Sequence, residues 1–295
     1  MATGSTLARR ALGRQLKRIR ERHNISQSAA GRVIGVSQQT IGRMEDGQPT
    51  KVSDLYINTL CDAYQTSGEE RGMLLGLALE VRTAQKSEGG WWRAYADEIR
   101  PGVNHYMGLE EAARKLAIWK VTIVPGVLQT PEYRRAMVWM ERPEMPSEQV
   151  EKLVEVTMRR QERLAEPDFA VDAILSEMVL RDQVGGRGVI SAQLQHLAEV
   201  GLRENVSVRV VPYDAPTHLG SRVGSFVLLE FPKLPATGLI EPPVIYVEEY
   251  AGDLYLERDT EVCRYRDAFA EISRVALDQD STREIILKIA EEHAA

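Results

Sequence analysis

Residues 26–45 read SQSAAGRVIGVSQQTIGRME, and this stretch predicts two short helices joined by a tight turn. Ser26 can cap the first helix, because a serine hydroxyl accepts a hydrogen bond from a backbone N–H that the first helical turn leaves unpaired. Gly35 can adopt the left-handed conformation that ends such a helix. Ser37 can cap the second helix in the same way as Ser26.

The second helix, over 38–45, has an apolar and a polar face. Ile41 and Met44 are three residues apart and face the first helix. The outward side chains carry amide, hydroxyl and guanidinium groups, and they are Gln38, Gln39, Thr40 and Arg43. Glutamine can pair with adenine and arginine with guanine, and a helix of this width fits the major groove. The alternative for two helices and a glycine alone is an ordinary helical hairpin with a polar surface.

The spacing of the Ser-Gln start, the Gly-Val-Ser turn and the Glu-Asp-Gly end resembles the XRE/Cro-repressor-like helix-turn-helix family over residues 12–79. Gly31 stands where that family usually has alanine, which permits a close helix crossing. The resemblance implies that the partner is double-stranded DNA and that the second helix reads bases. It also implies a phosphate contact by Gln27 and an internal ion pair between Arg20 and Glu45.

Basic residues outside the second helix are candidates for contacts with the DNA backbone. Arg14 and Lys17 lie on an amphipathic helix predicted from Leu7, and Lys51 lies in the loop that family geometry places beside the backbone. For the residues on this helix, generic contact with phosphate or solvent is favoured over the reading of bases. The predicted DNA-binding residues are Gln27, Ser37, Gln38, Gln39, Thr40, Arg43, Lys51, Arg14 and Lys17.

The net charge of −6 is unevenly distributed along the chain. Residues 1–60 carry ten Lys and Arg against four Asp and Glu, a net charge of +6. The remaining residues carry 27 basic against 39 acidic side chains, a net charge of −12. A positive N-terminal field attracts phosphate and predicts binding that weakens with salt. The acidic remainder predicts a domain that stays off the duplex, although a solvated acidic surface explains the charge equally well.

A length of 295 residues and an ordinary globular composition predict two domains. We predict an all-α, five-helix DNA-binding domain over 1–82, a polar linker over 83–90, and an α+β domain built around one sheet over 91–295. A helix is predicted over 108–120, followed by a short strand at 121–124. The strand candidates of the sheet are 169–175, 206–212, 224–231, 244–250 and 254–257, of which the last two form a hairpin.

The second domain also resembles a known family. The matching text is PGVLQTPEY at 125–133, RRQ at 159–161, LSE at 175–177, GSFVLLEF at 224–231 and IYVE at 245–248. It is similar to the C-terminal domain of unknown function found in many actinobacterial helix-turn-helix regulators, including those of the WhiJ type. This resemblance implies a transcription regulator that is often paired with a small acidic partner protein. It implies no catalytic residues.

All four tryptophans fall within fifty residues, at 91–139. Such a concentration can line an apolar pocket, and the candidate residues for a ligand or partner site are Trp91, Trp92, Tyr95 and Trp119. The alternative is that these side chains belong to the core or to an interface, where tryptophan is enriched.

Other chemistry is not indicated. Cys61 and Cys263 are far apart and lack companions at metal-ligand spacing, so we predict neither a metal nor a cofactor. His196 and His218 have no nucleophile elbow or phosphate-binding glycine loop beside them, and we predict that the protein is not an enzyme. No run approaches the length of a membrane span, which together with the free cysteines predicts a cytoplasmic, nucleoid-associated protein.

Two functions follow from these patterns. The first is a homodimeric, sequence-specific transcriptional regulator whose helices occupy half-sites one helical turn apart, with a second domain that senses a small molecule or a partner protein. The second is the DNA-binding half of a two-protein, antitoxin-like switch whose main role is to bind a small partner protein. An acidic sheet edge or the tryptophan-rich segment is the expected docking surface.

Overall fold

The computed structural model describes residues 7–86, 91–95 and 101–294. It divides into two compact units. The described residues of the first unit lie within Met1–Ala96, Arg100–Ala112 and Phe231–Glu241, and those of the second lie within Ala113–Glu230 and Pro242–Ala295. The predicted division into two domains and a linker stays a prediction, and residues 87–90 of that linker lie outside the described part.

The first unit begins with five helices, as predicted. They are α1 (Leu7–Arg22), α2 (Gln27–Ile34), α3 (Gln38–Glu45), α4 (Asp54–Ala63) and α5 (Gly68–Lys86). On α1, Leu12, Leu16 and Ile19 recur at helical spacing and are fully buried, because this stripe packs into the core shared with α3 and α5. The same unit contains helix α6 (Pro101–Ala112) and the segment Phe231–Glu241.

The second unit is built around a mixed sheet, which confirms the α+β prediction. Its elements are β1 (Lys115–Lys120), α7 (Pro131–Glu141), α8 (Ser147–Gln161), β2 (Ala170–Ser176), α9 (Glu177–Arg181), α10 (Arg187–Val200), β3 (Val206–Val211), α11 (Gly220–Val223), β4 (Phe226–Glu230), β5 (Val244–Glu249), β6 (Gly252–Leu256), α12 (Asp259–Val275) and α13 (Gln279–Ala294). Within the described residues the strand order is β3-β2-β1-β4-β5-β6. Strands β1, β2 and β3 are parallel, and β4, β5 and β6 are antiparallel to their neighbours, so the predicted β5–β6 hairpin is confirmed.

The prediction for residues 108–124 was wrong. A helix was expected over 108–120, but α6 ends at Ala112 and residues 115–120 form β1. These residues have fair helix propensity, yet the strand hydrogen bonds to β2 and β4 on both sides and five of its six residues are buried. Burial in the centre of a sheet outweighs local propensity, which is a weak preference.

Two kinds of feature are absent from the described residues. None of the described helices is long and apolar enough to cross a membrane. The described His, Cys, Asp and Glu side chains form no group of three or more that could hold a metal ion.

Candidate nucleic-acid interface

Helices α2 and α3 each begin at a capping serine, and a short turn joins them. The Ser26 hydroxyl accepts a hydrogen bond from the Ala29 N–H at 3.1 Å, and the Ser37 hydroxyl accepts one from the Thr40 N–H at 3.1 Å. Gly35 lies between them in the left-handed conformation, with φ of 70°. These contacts confirm the predicted caps, and they fix the direction in which α3 leaves the turn.

Glycines allow the elements around α3 to approach closely. A Cβ atom added to Gly31 would lie 2.6 Å from the carbonyl oxygen of Val36 in the turn, and one added to Gly13 of α1 would overlap the carbonyl oxygen of Met44. In both cases the added Cβ would be closer to the carbonyl oxygen than any ordinary non-bonded contact. The backbone of α3 is therefore held directly against α1 at its C-terminal end.

A buried ion pair ties α1 and α2 to the end of α3. Arg20 Nη2 donates to Glu45 Oε2 at 2.9 Å, and Arg20 Nη1 donates to the Ile25 carbonyl at 2.7 Å. Gln27 Nε2 also donates to Glu45 Oε2, at 2.9 Å. The hydrogen bond to Glu45 raises the pKa of Arg20. Because the Glu45 side chain is only 2% exposed, its charge depends on these donors rather than on water.

The outer side of α3 forms an open depression, which we call the reading groove. It is lined by Gln27, Gln38, Gln39, Gly42, Arg43 and Asp46. The side chains of Gln38, Gln39 and Arg43 are exposed, so their donors and acceptors are available to a base edge. Gly42 and Asp46 were not predicted. Helical spacing could have found them, since Gly42 follows Gln38 by four residues and Asp46 follows Arg43 by three.

The polar groups of the reading groove are only partly engaged. Arg43 Nη2 donates to the Pro49 carbonyl at 3.0 Å, and because a guanidinium has five N–H donors, others can reach guanine. Gln27 donates one hydrogen to Glu45, and its amide carries a second that can reach a phosphate oxygen. At the start of α3, the hydroxyls of Ser37 and Thr40 are 3.0 Å apart and hydrogen-bond to each other.

The basic residues predicted to contact the DNA backbone do not line the reading groove. Lys17 is exposed on α1, and Lys51 is exposed with its Nζ 6.0 Å from the centre of the Tyr56 ring. Arg14 is half-buried and pairs with the carboxylate of Glu241. Sequence reasoning missed this ion pair, because its partners are separated by 227 residues.

The four predicted aromatic residues are divided between the two units. Trp91 makes edge contacts with Trp92 at 5.9 Å and with Tyr95 at 6.3 Å between ring centres, in a short 3₁₀ helix of the first unit. Trp119 belongs to the second unit, where it is 1% exposed in the core of the sheet. The position of Trp119 agrees with the alternative that these side chains belong to the core, because a central strand buries its side chains on both faces.

In the second unit, the buried Gln193 and the half-buried Gln161 hold the loop that follows β1. Gln193 of α10 donates to the Leu128 carbonyl at 2.8 Å and accepts from the Thr130 N–H at 2.7 Å. Gln161 of α8 donates to the carbonyls of Gly126 and Gln129, at 3.0 and 2.7 Å. These contacts give the PGVLQTPEY and RRQ segments a structural role, because they supply partners for backbone groups that would otherwise be buried and unpaired.

Comparison with known families agrees with this geometry. A family model described as a helix-turn-helix domain matches residues 11–74, so the N-terminal part is a helix-turn-helix domain and the chain is a helix-turn-helix regulator. A second model, described as a domain of unknown function (DUF5753), matches residues 103–288. That match covers more than half of the chain, which therefore belongs to the DUF5753 family. Searches of curated proteins and of solved structures found no match.

Proposed function

We propose that this chain is a sequence-specific transcriptional regulator that reads double-stranded DNA with α3. Gln38 and Gln39 are assigned to adenine, and Arg43 to guanine, through the major groove. Ser37, Thr40 and Gln27 are assigned to positioning and to contacts with phosphate. The supporting observation is the reading groove itself, in which exposed amides and a guanidinium stand on a helix that a buried ion pair holds in place.

Binding as a homodimer is part of the proposal. Helix α3 has eight residues and offers three base-reading side chains, which contact few base pairs. Two copies on half-sites one helical turn apart, roughly 34 Å, would double the base contacts. The proposal has three further parts. The chain is of the XRE/Cro-like and WhiJ-like types, it acts on the chromosome in the cytoplasm, and its second domain binds rather than catalyses. The two family types rest on the sequence resemblances. The location rests on the free cysteines and on apolar runs shorter than a membrane span, and the binding role rests on the lack of catalytic motifs in the sequence.

Paired substitutions at Arg43 and Lys51 test the proposal. Arg43→Ala should weaken binding to the preferred sequence by about 1–3 kcal/mol and relax the preference at one base position per half-site. Lys51→Ala should weaken binding to all sequences alike and reduce the salt slope by about 1, because a phosphate contact carries no sequence information. Gel shifts across a library of duplexes at several salt concentrations measure both effects.

The Arg43→Ala variant can also reject base reading. If Arg43→Ala lowers the affinity for every duplex by one common factor, then Arg43 acts as a backbone contact. Circular dichroism of both variants controls for loss of the helical domain.

A second candidate function is the capture of a partner protein at one edge of the sheet. The β3 edge is covered by the chain itself, since the Leu277 N–H donates to the Val210 carbonyl at 2.8 Å and Val210 N–H donates to Thr282 Oγ1 at 3.1 Å. Strand β6 lies at the opposite edge. Residues 244–261 carry six acidic side chains and one arginine, which favours a partner that offers a basic extended strand.

Matched substitutions on exposed leucines test this second function. Leu254 of β6 is 49% exposed and Leu202 is 68% exposed outside the sheet. Leu254→Lys should abolish co-purification of a small partner protein from native cells, whereas Leu202→Lys should retain it. A thermal shift with small metabolites and no co-purified protein would favour a ligand sensor instead.

A further inference from the structure

The segment Phe231–Glu241 connects β4 to β5 in sequence, yet it belongs to the compact unit that contains the helix-turn-helix domain. We call it the clamp segment. It has a structure of its own: Leu234 N–H donates to the Leu239 carbonyl at 2.7 Å, and Gly238 N–H donates to the Leu234 carbonyl at 2.8 Å. Gly238 takes a left-handed φ of 67° in this turn. These bonds give the clamp segment a defined turn.

The clamp segment contacts both α5 and α1. On α5, the Glu80 carboxylate accepts a hydrogen bond from the Ala236 N–H, and the backbone at Gly76 lies close to the Thr237 side chain. On α1, the Glu241 carboxylate pairs with the guanidinium of Arg14 and lies 3.7 Å from Arg10 Nε.

The Glu241 carboxylate is shielded from water, whereas the Arg14 side chain that pairs with it is 36% exposed. The Glu241 side chain is 3% exposed and that of Arg10 is 7% exposed. A carboxylate that is this buried needs its cations, because water does not replace them. Glu241 therefore offsets one positive charge on α1, shared between Arg10 and Arg14, although the sequence assigned Arg14 to DNA.

Helix α1, which contacts Glu241, also packs against the C-terminal end of α3 and the residues that follow it. The backbone of Arg10 lies against Gly47, which follows α3 directly: a Cβ on Gly47 would be 2.9 Å from Arg10 Cα. Farther along α1, Gly13 touches the end of α3 and Arg20 holds Glu45. The residues that contact Glu241 are thus on the same helix that fixes the recognition helix.

We propose that the clamp segment is an internal brake on DNA binding, through which the chain of the second domain regulates the recognition helix. With Glu241 engaged, α1 holds α3 in place, and the Glu241 carboxylate offsets the charge of Arg14 and weakens its attraction for phosphate. When a displacement of β4 or β5 withdraws Glu241, Arg14 becomes a phosphate contact and α3 loses one of its supports. Non-specific affinity then rises and sequence discrimination falls. The proposal rests on the proposed DNA-binding function and adds its regulation.

The test compares Glu241→Gln with Glu230→Gln. Both remove one negative charge from the same part of the sequence, but Glu230 pairs with Arg266 and not with α1. On random-sequence duplex, Glu241→Gln should steepen the salt dependence by about 0.9 and strengthen binding about eightfold at 0.1 M salt, the effect of one added phosphate contact. Glu230→Gln should leave both quantities at the wild-type value.

A double-substitution cycle identifies the released cation. Arg14→Gln alone should not change the salt slope, because Arg14 is already occupied, whereas Arg14→Gln combined with Glu241→Gln should return the slope to the wild-type value. Equal slopes for Glu241→Gln, Glu230→Gln and the wild type would overturn the proposal. A lowered slope in Arg14→Gln alone would also overturn it.

Hydrogen exchange separates this proposal from the DNA-binding function. The amides of residues 42–47 should exchange faster in Glu241→Gln than in Glu230→Gln, whether or not an operator is known. Unchanged exchange there would refute the coupling of the clamp segment to α3, even if specific DNA binding is demonstrated. Conversely, faster exchange without specific DNA binding would refute the proposed function and retain the coupling.

Discussion

Glutamine side chains are used in opposite ways in the two units. Gln38 and Gln39 on α3 are exposed, with their amides directed away from the protein. Gln193 on α10 is fully buried, and both ends of its amide bond to backbone groups of one loop. The same side chain is a proposed base-reading group in the first case and a structural brace in the second. What distinguishes them is whether the protein already satisfies the amide's hydrogen bonds.

Loss of a brace should cost far more stability than loss of a reading group. Gln193→Ala leaves the Leu128 carbonyl and the Thr130 N–H buried without partners and opens a cavity, so we expect a loss of about 4 kcal/mol. Gln38→Ala should change stability by less than about 0.5 kcal/mol. Urea unfolding of both variants measures the difference. Similar losses for the two glutamines would break the comparison.

Two glycines of the helix-turn-helix domain also differ in how closely they are packed. Gly13 faces the end of α3 without room for a methyl group, whereas a Cβ on Gly42 would lie 3.6 Å from the Gln27 amide, an ordinary contact. Gly13→Ala should therefore destabilise the domain by about 1–3 kcal/mol through overpacking. Gly42→Ala should stabilise it by up to about 1 kcal/mol through helix propensity. Thermal unfolding followed by circular dichroism checks both, and a stable Gly13→Ala variant would contradict the close packing.

The smallest expected effect is a difference in pH response. Burial lowers the pKa of His196 on α10, so the folded state binds that proton less readily than the unfolded chain. The free energy of unfolding that neutral His196 contributes is present in full above the unfolded pKa of 6.5. It decreases as the pH falls below 6.5, because the unfolded chain then binds the proton. His196→Gln should flatten this dependence between pH 7 and pH 5. The amides of Gln38 and Gln39 carry no titratable proton, so their contribution to DNA affinity should stay constant over that range.

Local patterns were enough to predict the helix-turn-helix region. Ser26, Gly35 and Ser37 act through hydrogen bonds and backbone conformations within a few residues, and α2 and α3 begin and end where the sequence placed them. The outward face of α3 followed from the same periodicity, with Gly42 and Asp46 as additions to the predicted set.

Contacts between distant parts of the chain could not be predicted. Strand β1 was read as a helix because its neighbours β2 and β4 lie far away in sequence, and only their pairing overrides its helix propensity. The pairing of Arg14 with Glu241 depends on a connection between two strands that returns to α1. A single sequence carries no local signal for either contact.

Selection of bound duplexes from a random library tests whether the exposed face of α3 reads bases. The wild-type chain should recover two-fold symmetric sites whose half-sites are 10–10.5 base pairs apart and contain adenine and guanine positions. The double variant Gln38→Ala with Gln39→Ala should lose the adenine preference and keep the guanine preference. Recovery of no preferred sequence by the wild type, or of the same sites by both proteins, would contradict the claim.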